Sequence, residues 1–192
     1  IWFDHVRVPR LNLLNRFGDV GESGDYSSPI QHPDKRFFTM LGTLVGGRVC
    51  VPRAGLSAAK TAVTIAVRYG LRRRQFSPGP TTPETLLLDY PSHQRRLMPL
   101  LAKAFALDIG LKKLTDRYLH RSEADMREIE TLAAGLKSCA TWFATRAIQE
   151  CREACGGKGY LWENRFADLK ADTEIFTTFE GDNTVLMQLV AK

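Results

Sequence analysis

From Asp34 onward, apolar residues recur three and four positions apart. Phe37, Phe38, Leu41, Leu44 and Val45 open the pattern, and Leu56, Ala59, Val63, Ala66 and Val67 resume it after Pro52. That spacing lines one face of a helix. Pro52 lacks an amide donor and clashes with the preceding turn, so it should kink or divide the element. Gly42, Gly46, Gly47, Ala54, Ala58 and Ala59 would let a second backbone approach closely. A second helix is predicted from near Pro91 to about His120, with Leu97, Leu100, Leu101, Ala104, Phe105, Leu107, Leu111 and Leu114 as its apolar positions. Ser122-Glu123-Ala124-Asp125 then opens a third in the manner of a polar N-terminus. Its apolar side is Ile129, Leu132, Leu136, Cys139, Phe143, Ala147 and Ile148, and Gly156-Gly157 stops it. Lys158 to Thr173 reads as a connection with one short turn of helix around Phe166 to Leu169. Phe176 to Phe179 reads as an aromatic, β-rich run, and a last helix begins near Asp182. Three long helices and a fourth cut short predict a mainly α, up-and-down helical bundle.

Residues 1–33 follow a different pattern. Ile1 to Pro9 alternates like a strand and closes on proline, and Gly18 to Pro33 has the Gly, Ser, Asp and Pro of an irregular connection. The expected organisation is a short remnant of a preceding β-domain and its linker over 1–33, then the bundle over 34–192, truncated at its C-terminus. A start at Ile-Trp-Phe and an end within an apolar pattern at Leu189-Val190-Ala191-Lys192 suggest a piece of a longer protein.

Composition changes this picture little. With 192 residues, 44% of them hydrophobic, the chain can bury a core. The formal charge of +6 favours a polyanionic or phosphate-bearing partner. No nucleic-acid module accompanies it, and no apolar run reaches the length of a membrane span. Cys50, Cys139, Cys151 and Cys155 lack both a secreted spacing and a Cys/His ligand pattern, which predicts buried thiols in a reducing compartment and no metal.

Candidate chemistry falls at three places. Glu180 lies between the aromatic run and the last helix, with Gly181 permitting a bend and Asp182 or Asn183 available as N-cap. Desolvated beside Phe179, a carboxylate becomes a candidate general base; alternatively it simply decorates a first helical turn. Gly156-Gly157-Lys158-Gly159 follows a helix, so it is neither a Walker loop nor a dinucleotide fingerprint. It is a flexible turn able to approach a phosphate or flat ligand, or a helix cap with a spare glycine. Arg73 to Phe76 ends one helix and Gln94 begins the next, so guanidinium, ring and amide can converge at one end of a helical pair. Arg48, a cation among small residues, has room for an anion beside it or snorkels to solvent.

Taken in order, Arg73-Arg74-Gln75-Phe76 with Gln94, then Glu150 to Tyr160, then Phe176 to Leu186 resemble the C-terminal helical domain of the acyl-CoA dehydrogenase and oxidase superfamily. The last two stretches are worded most like acyl-CoA oxidases. The resemblance implies FAD-dependent oxidation of acyl-CoA to trans-2-enoyl-CoA, with O2 reduced to H2O2. It makes Glu180 the base that removes the substrate α-proton. It implies FAD contacts across a subunit interface at Arg73, Phe76 and Gln94, and further FAD contacts at Gly156, Gly157 and Glu153, where dehydrogenases commonly carry glutamine. Asp182 and Thr184 would touch the flavin, and Arg48 the CoA portion of the substrate. Ser77, followed by a Pro-rich loop, stands where the superfamily has glycine. A homodimer or higher oligomer is implied, with no nucleic-acid partner. The wording leans to a bacterial cytosolic enzyme, or a peroxisomal one if the source is eukaryotic. The rival readings are an acyl-CoA dehydrogenase serving an electron-transfer flavoprotein and a non-catalytic assembly module.

Overall fold

A computed structural model describes residues 1–191. Backbone contacts divide it into two compact units, Ile1–Leu44 and the chain from Val45 onward. In the first unit a short antiparallel pair, β1 (Asp19–Val20) and β2 (Tyr26–Ser27), precedes helix α1 (Pro33–Leu41). A side chain at Gly18 would collide with the Tyr26 hydroxyl, so glycine there lets the ring lie across the backbone. The alternating run Ile1 to Pro9 forms no strand, contrary to its pattern. Among the described residues nothing pairs with it, and Ile1, Trp2 and Phe3 are exposed. Alternation without a neighbouring strand leaves the backbone to water.

The second unit is the helical bundle. Its long elements are α2 (Leu44–Gly70), α3 (Pro91–Leu119) and α4 (Met126–Ala154), joined by shorter α5 (Gly157–Tyr160), α6 (Phe166–Glu174) and α7 (Asn183–Val190). A small hairpin, β3 (Arg74–Gln75) with β4 (Thr85–Leu86), bridges α2 and α3. α4 is central and packs against α3, α6 and α7. Its buried face is rich in alanine (Ala133, Ala134, Ala140, Ala144, Ala147), which keeps neighbouring backbones close. At Gly55 of α2 an added Cβ would sit 3.5 Å from the Ala144 Cβ. One core cluster joins Val49 and Leu56 to Leu107, Leu111, Ile129 and Phe143; a second joins Val63 and Leu97 to Ile148, Cys151 and Phe166.

Four local expectations are corrected. The first helical stretch breaks at Gly42 and Thr43, whereas Pro52 is buried inside an uninterrupted α2. Pro52 is buried there along with Val49, Gly55 and Leu56, although an interior proline costs a helix roughly 3 kcal/mol. The turn at Phe166 extends to Glu174. The aromatic run is not β-like: Ile175–Thr177 is a 3-10 turn. The Thr177 and Thr178 hydroxyls donate back to the Glu174 and Ile175 carbonyls, sustaining the helical path. Of the four thiols, Cys151 and Cys155 are buried as expected, but Cys50 and Cys139 are exposed.

Candidate functional site

The chain from Glu174 to Asn183 crosses α2 and α4 as a tight loop. Glu180 has φ +59° and Gly181 φ +108°, two left-handed residues in succession. For glutamate that conformation costs on the order of 1–3 kcal/mol, so surrounding contacts must enforce it. Arg48 on α2 donates Nε–H to the Glu180 carbonyl (2.9 Å), and Lys137 on α4 donates from Nζ to the Gly181 carbonyl (2.7 Å). Asp182 then caps α7, its Oδ1 accepting from the backbone N–H of Thr184 (2.8 Å) and Val185 (3.3 Å). Of the two cap candidates, Asp182 takes the role, and Asn183 is buried instead.

The Glu180 carboxylate lies against α2 at Gly47. A Cβ added there would come within 2.5 Å of Glu180 Cδ and Oε2. Oε2 is shut off from solvent and has no hydrogen-bond partner. Two turns along α2, the Phe176 ring packs 3.4 Å from the Cβ position of Gly55, and Phe179 lies 5.4 Å from Phe176 between ring centroids. A desolvated carboxylate oxygen with nothing to bond is costly. In a folded protein it calls for a functional explanation.

Beneath the loop runs a buried polar network that the helix pattern alone did not reveal. Lys137 is fully buried, and its Nζ also donates to Asn183 Oδ1 (2.9 Å). Asn183 Nδ2 donates to Thr141 Oγ1 (3.0 Å), and Ser138 Oγ donates to the Ala134 carbonyl (2.9 Å). A signal was present: Ala133, Ala134 and Ala140 lie three and four residues from Lys137, and Ala144 seven, which places it on the inward face. Removal from water pushes the Lys137 ammonium down to about 8. Asp182 opposes this, Arg48 adds to it, and Glu180 opposes it.

This shift carries a stability prediction. Between about pH 8 and the unfolded value near 10.5, unfolded Lys137 binds the proton that folded Lys137 has released, so folding gains stability as pH rises through that window. Cys151 and Cys155, pushed up to about 12 and about 11 by burial, act in the opposite direction at high pH. They are common to wild type and Lys137→Met. The wild-type-minus-variant difference in unfolding free energy, measured by urea denaturation, should therefore rise by on the order of 3 kcal/mol from pH 8 to 10.5. A flat difference would show that the lysine is not held as described.

A second cluster forms at the far end of α4. Arg73, Gln75, His93, Glu153, Gly156 and Gly157 line a cleft of about 370 Å³. Gly156 has φ +56°, and a Cβ at either glycine would meet nothing within 4 Å, so the turn is open to a ligand. Among the described residues Arg73 forms no ion pair. Glu153 is engaged by Arg96 (3.0 Å) and Gln149 (2.7 Å). His93 Nε2 is buried without a partner, and burial first and Arg96 second hold its pKa below the usual range. Phe76, at φ +59° and exposed, and Gln94, whose Nε2 donates to the Leu88 carbonyl (2.9 Å), sit at the same end but outside the cleft lining. In the Pro-rich loop, the Ser77 hydroxyl donates to the Gly79 and Thr82 carbonyls.

The predicted residues thus separate into two groups. Glu180, Arg48, Asp182 and Thr184 gather near Lys137, while Arg73, Glu153, Gly156 and Gly157 gather around the C-terminal end of α4. Along that helix, Lys137 and Glu153 are roughly 24 Å apart at 1.5 Å per residue.

Residues 41–192 match the family model described as acyl-CoA oxidase, C-alpha1 domain. The chain belongs to the acyl-CoA oxidase family. It is 48% identical to the putative peroxisomal acyl-coenzyme A oxidase 3.2 of Arabidopsis thaliana over all of this chain and 28% of that protein. It is 44% identical to human peroxisomal acyl-coenzyme A oxidase 3 over 97% of this chain and 28% of that one. Among solved structures, acyl-CoA oxidase-1 of Caenorhabditis elegans, complexed with FAD and ATP, superposes with a TM-score of 0.84 at 28% identity, covering 98% of this chain and 28% of that one. An acyl-CoA dehydrogenase from Geobacillus kaustophilus shares the fold, with a TM-score of 0.72 at 18% identity over 88% of this chain and 42% of that one. The chain spans about 28% of the length of these curated relatives. No helix among the described residues is long and apolar enough to cross a membrane.

Proposed function

We propose that the protein carrying this chain oxidises acyl-CoA thioesters to trans-2-enoyl-CoA, with Glu180 as the base. The observation that carries this reading is the unpartnered, desolvated Oε2 of a glutamate held in a left-handed turn. Carbon acids ionise slowly, and a base that acts on one must be desolvated and held at contact distance. Glu180 Oε2 is a free acceptor for the α-proton, and Gly47 leaves space for the carboxylate against α2. Bound FAD would supply the hydride acceptor for the β-hydrogen, and dioxygen the final oxidant.

The residues present fit that cofactor at the second cluster. An unpaired guanidinium and an open glycine turn with positive φ suit a pyrophosphate. Arg73, Gly156 and Gly157 would hold it, with Phe76 and Gln94 flanking. Glu153 would contribute through Arg96, since its carboxylate is already engaged. Asp182 would approach the flavin while capping α7, and exposed Thr184 beside it; Arg48 keeps its Nη groups available for the CoA portion. The separation of the two clusters favours a homodimer or higher homo-oligomer, in which the glycine-turn cluster of one subunit serves the cofactor facing another subunit's Glu180. In a eukaryotic source the compartment would be the peroxisome, as named for the Arabidopsis and human relatives; none of the relatives described speaks for the bacterial cytosol.

The test uses the full-length, flavin-loaded protein under air with saturated acyl-CoA and no added acceptor. One H2O2 per enoyl-CoA formed is the expected result. Turnover only on addition of an electron-transfer flavoprotein would make it a dehydrogenase, and no flavin reduction by any acyl-CoA would leave the bundle an assembly module.

A further inference from the structure

Lys137 has no assigned part in this chemistry, yet it lies at the centre of the Glu180 loop. An ammonium with no solvent contact is expensive to bury. Among the described residues no carboxylate lies within ion-pair distance to compensate it. Its partners are dipoles, the Gly181 carbonyl at 2.7 Å and the Asn183 side-chain oxygen at 2.9 Å. A methionine or leucine would fill the same position on α4 without the desolvation penalty, so packing does not explain the residue.

We propose that Lys137 is a positioning residue for Glu180, acting together with Arg48 as a two-cation clamp on consecutive peptide carbonyls of the base loop. This rests on the reading of Glu180 as the base. Arg48 fixes the peptide plane that follows Glu180 through its carbonyl, and Lys137 fixes the next plane through the carbonyl of Gly181. With both planes held from different helices, α2 and α4, the left-handed turn cannot relax to a helical or extended path. The Cα–Cβ bond of Glu180 is thereby kept aimed at Gly47. Asn183, the first residue of α7, is tied to the same ammonium and to Thr141, so the start of α7 and the base loop share one anchor. The charged groups acting on the ammonium are Asp182 and Glu180 from the loop and Arg48 from α2.

The experiment compares wild type, Lys137→Met, Lys137→Arg and Glu180→Gln in the full-length, flavin-loaded protein. It reads flavin content, acyl-CoA dissociation constant, thermal midpoint, and the anaerobic rate constant of flavin bleaching. Lys137→Met should slow bleaching by about 100-fold, the scale of an ångström-level misplacement of a reacting group. Its flavin content should match wild type and its acyl-CoA dissociation constant should change less than threefold. Lys137→Arg, which keeps a charged donor, should recover to within about tenfold of wild type on the same scale. If Lys137→Met fails to load flavin, Lys137→Gln takes its place; it keeps an amide donor without charge or full reach, and a loss of at least about tenfold with binding intact is expected. Bleaching within twofold of wild type in a flavin-loaded neutral variant overturns the proposal, as does a loss fully matched by lost flavin or weakened acyl-CoA binding. A normal rate in Glu180→Gln would instead overturn the assignment of the base, which separates the two failures.

Discussion

Replacing Glu180 with glutamine in the full-length, flavin-loaded protein is expected to slow anaerobic flavin bleaching by acyl-CoA by about 10⁴-fold, the upper range for loss of a general base. The substitution is nearly isosteric, so the left-handed turn, the Arg48 and Lys137 contacts and the Asp182 cap have no reason to change. What is lost is the acceptor, because an amide does not take a proton from carbon near neutral pH. The new side chain would also set an amide group against Gly47, where the carboxylate oxygen now has no partner. Stopped-flow absorbance of the flavin band measures the step directly, with acyl-CoA binding followed separately. Near-normal bleaching in a variant that binds substrate would remove Glu180 from the chemistry.

Gly47→Ala should have the second-largest effect, and it separates stability from activity. Glycine inside a helix is roughly 1 kcal/mol less favourable than alanine, so α2 itself gains from the change. The new Cβ, however, would lie 2.5 Å from the carboxyl carbon of Glu180. The flexible end of a side chain gives way before a helix backbone does, and the carboxylate is displaced by about an ångström. A bleaching rate about 100-fold lower, with the thermal midpoint unchanged or raised, is the expected outcome. Gly46→Ala is the matched control, since its Cβ would face the Tyr118 hydroxyl at 3.0 Å and not the base. Equal losses in both variants would show that the effect comes from helix packing and not from contact with Glu180.

The predictions draw on features of very different visibility in the sequence. Helix periodicity placed α3 and α4 nearly to their observed limits, because their apolar faces are continuous and glycines follow α4. The Glu-Gly-Asp run announced a bend with a cap, and both are present. By contrast, Pro52 looked like a breaker, yet it is buried inside a continuous α2. The Thr177 and Thr178 hydroxyls bond back to carbonyls of the preceding turn, and the β-prone run Phe176 to Phe179 follows a 3-10 turn over Ile175–Thr177 and then a tight turn. Lys137 illustrates the limit most clearly. Its residue type suggested solvent, and its helical register indicated the core.

Local order along the chain was therefore enough to predict the bundle and its main helices, because those depend on spacing within a few residues, whereas Glu180 and the glycine turn were singled out by resemblance, since spacing alone reads them equally as a first-turn carboxylate and a helix cap. Tertiary structure alone decided that Glu180 rests on Gly47, that Arg48 and Lys137 hold neighbouring carbonyls, and that the Glu180 loop meets α4 near its middle while the glycine turn lies at its C-terminal end. Those contacts join residues far apart in the chain, and a one-dimensional pattern carries no information about which distant backbone fills the space beside a given side chain.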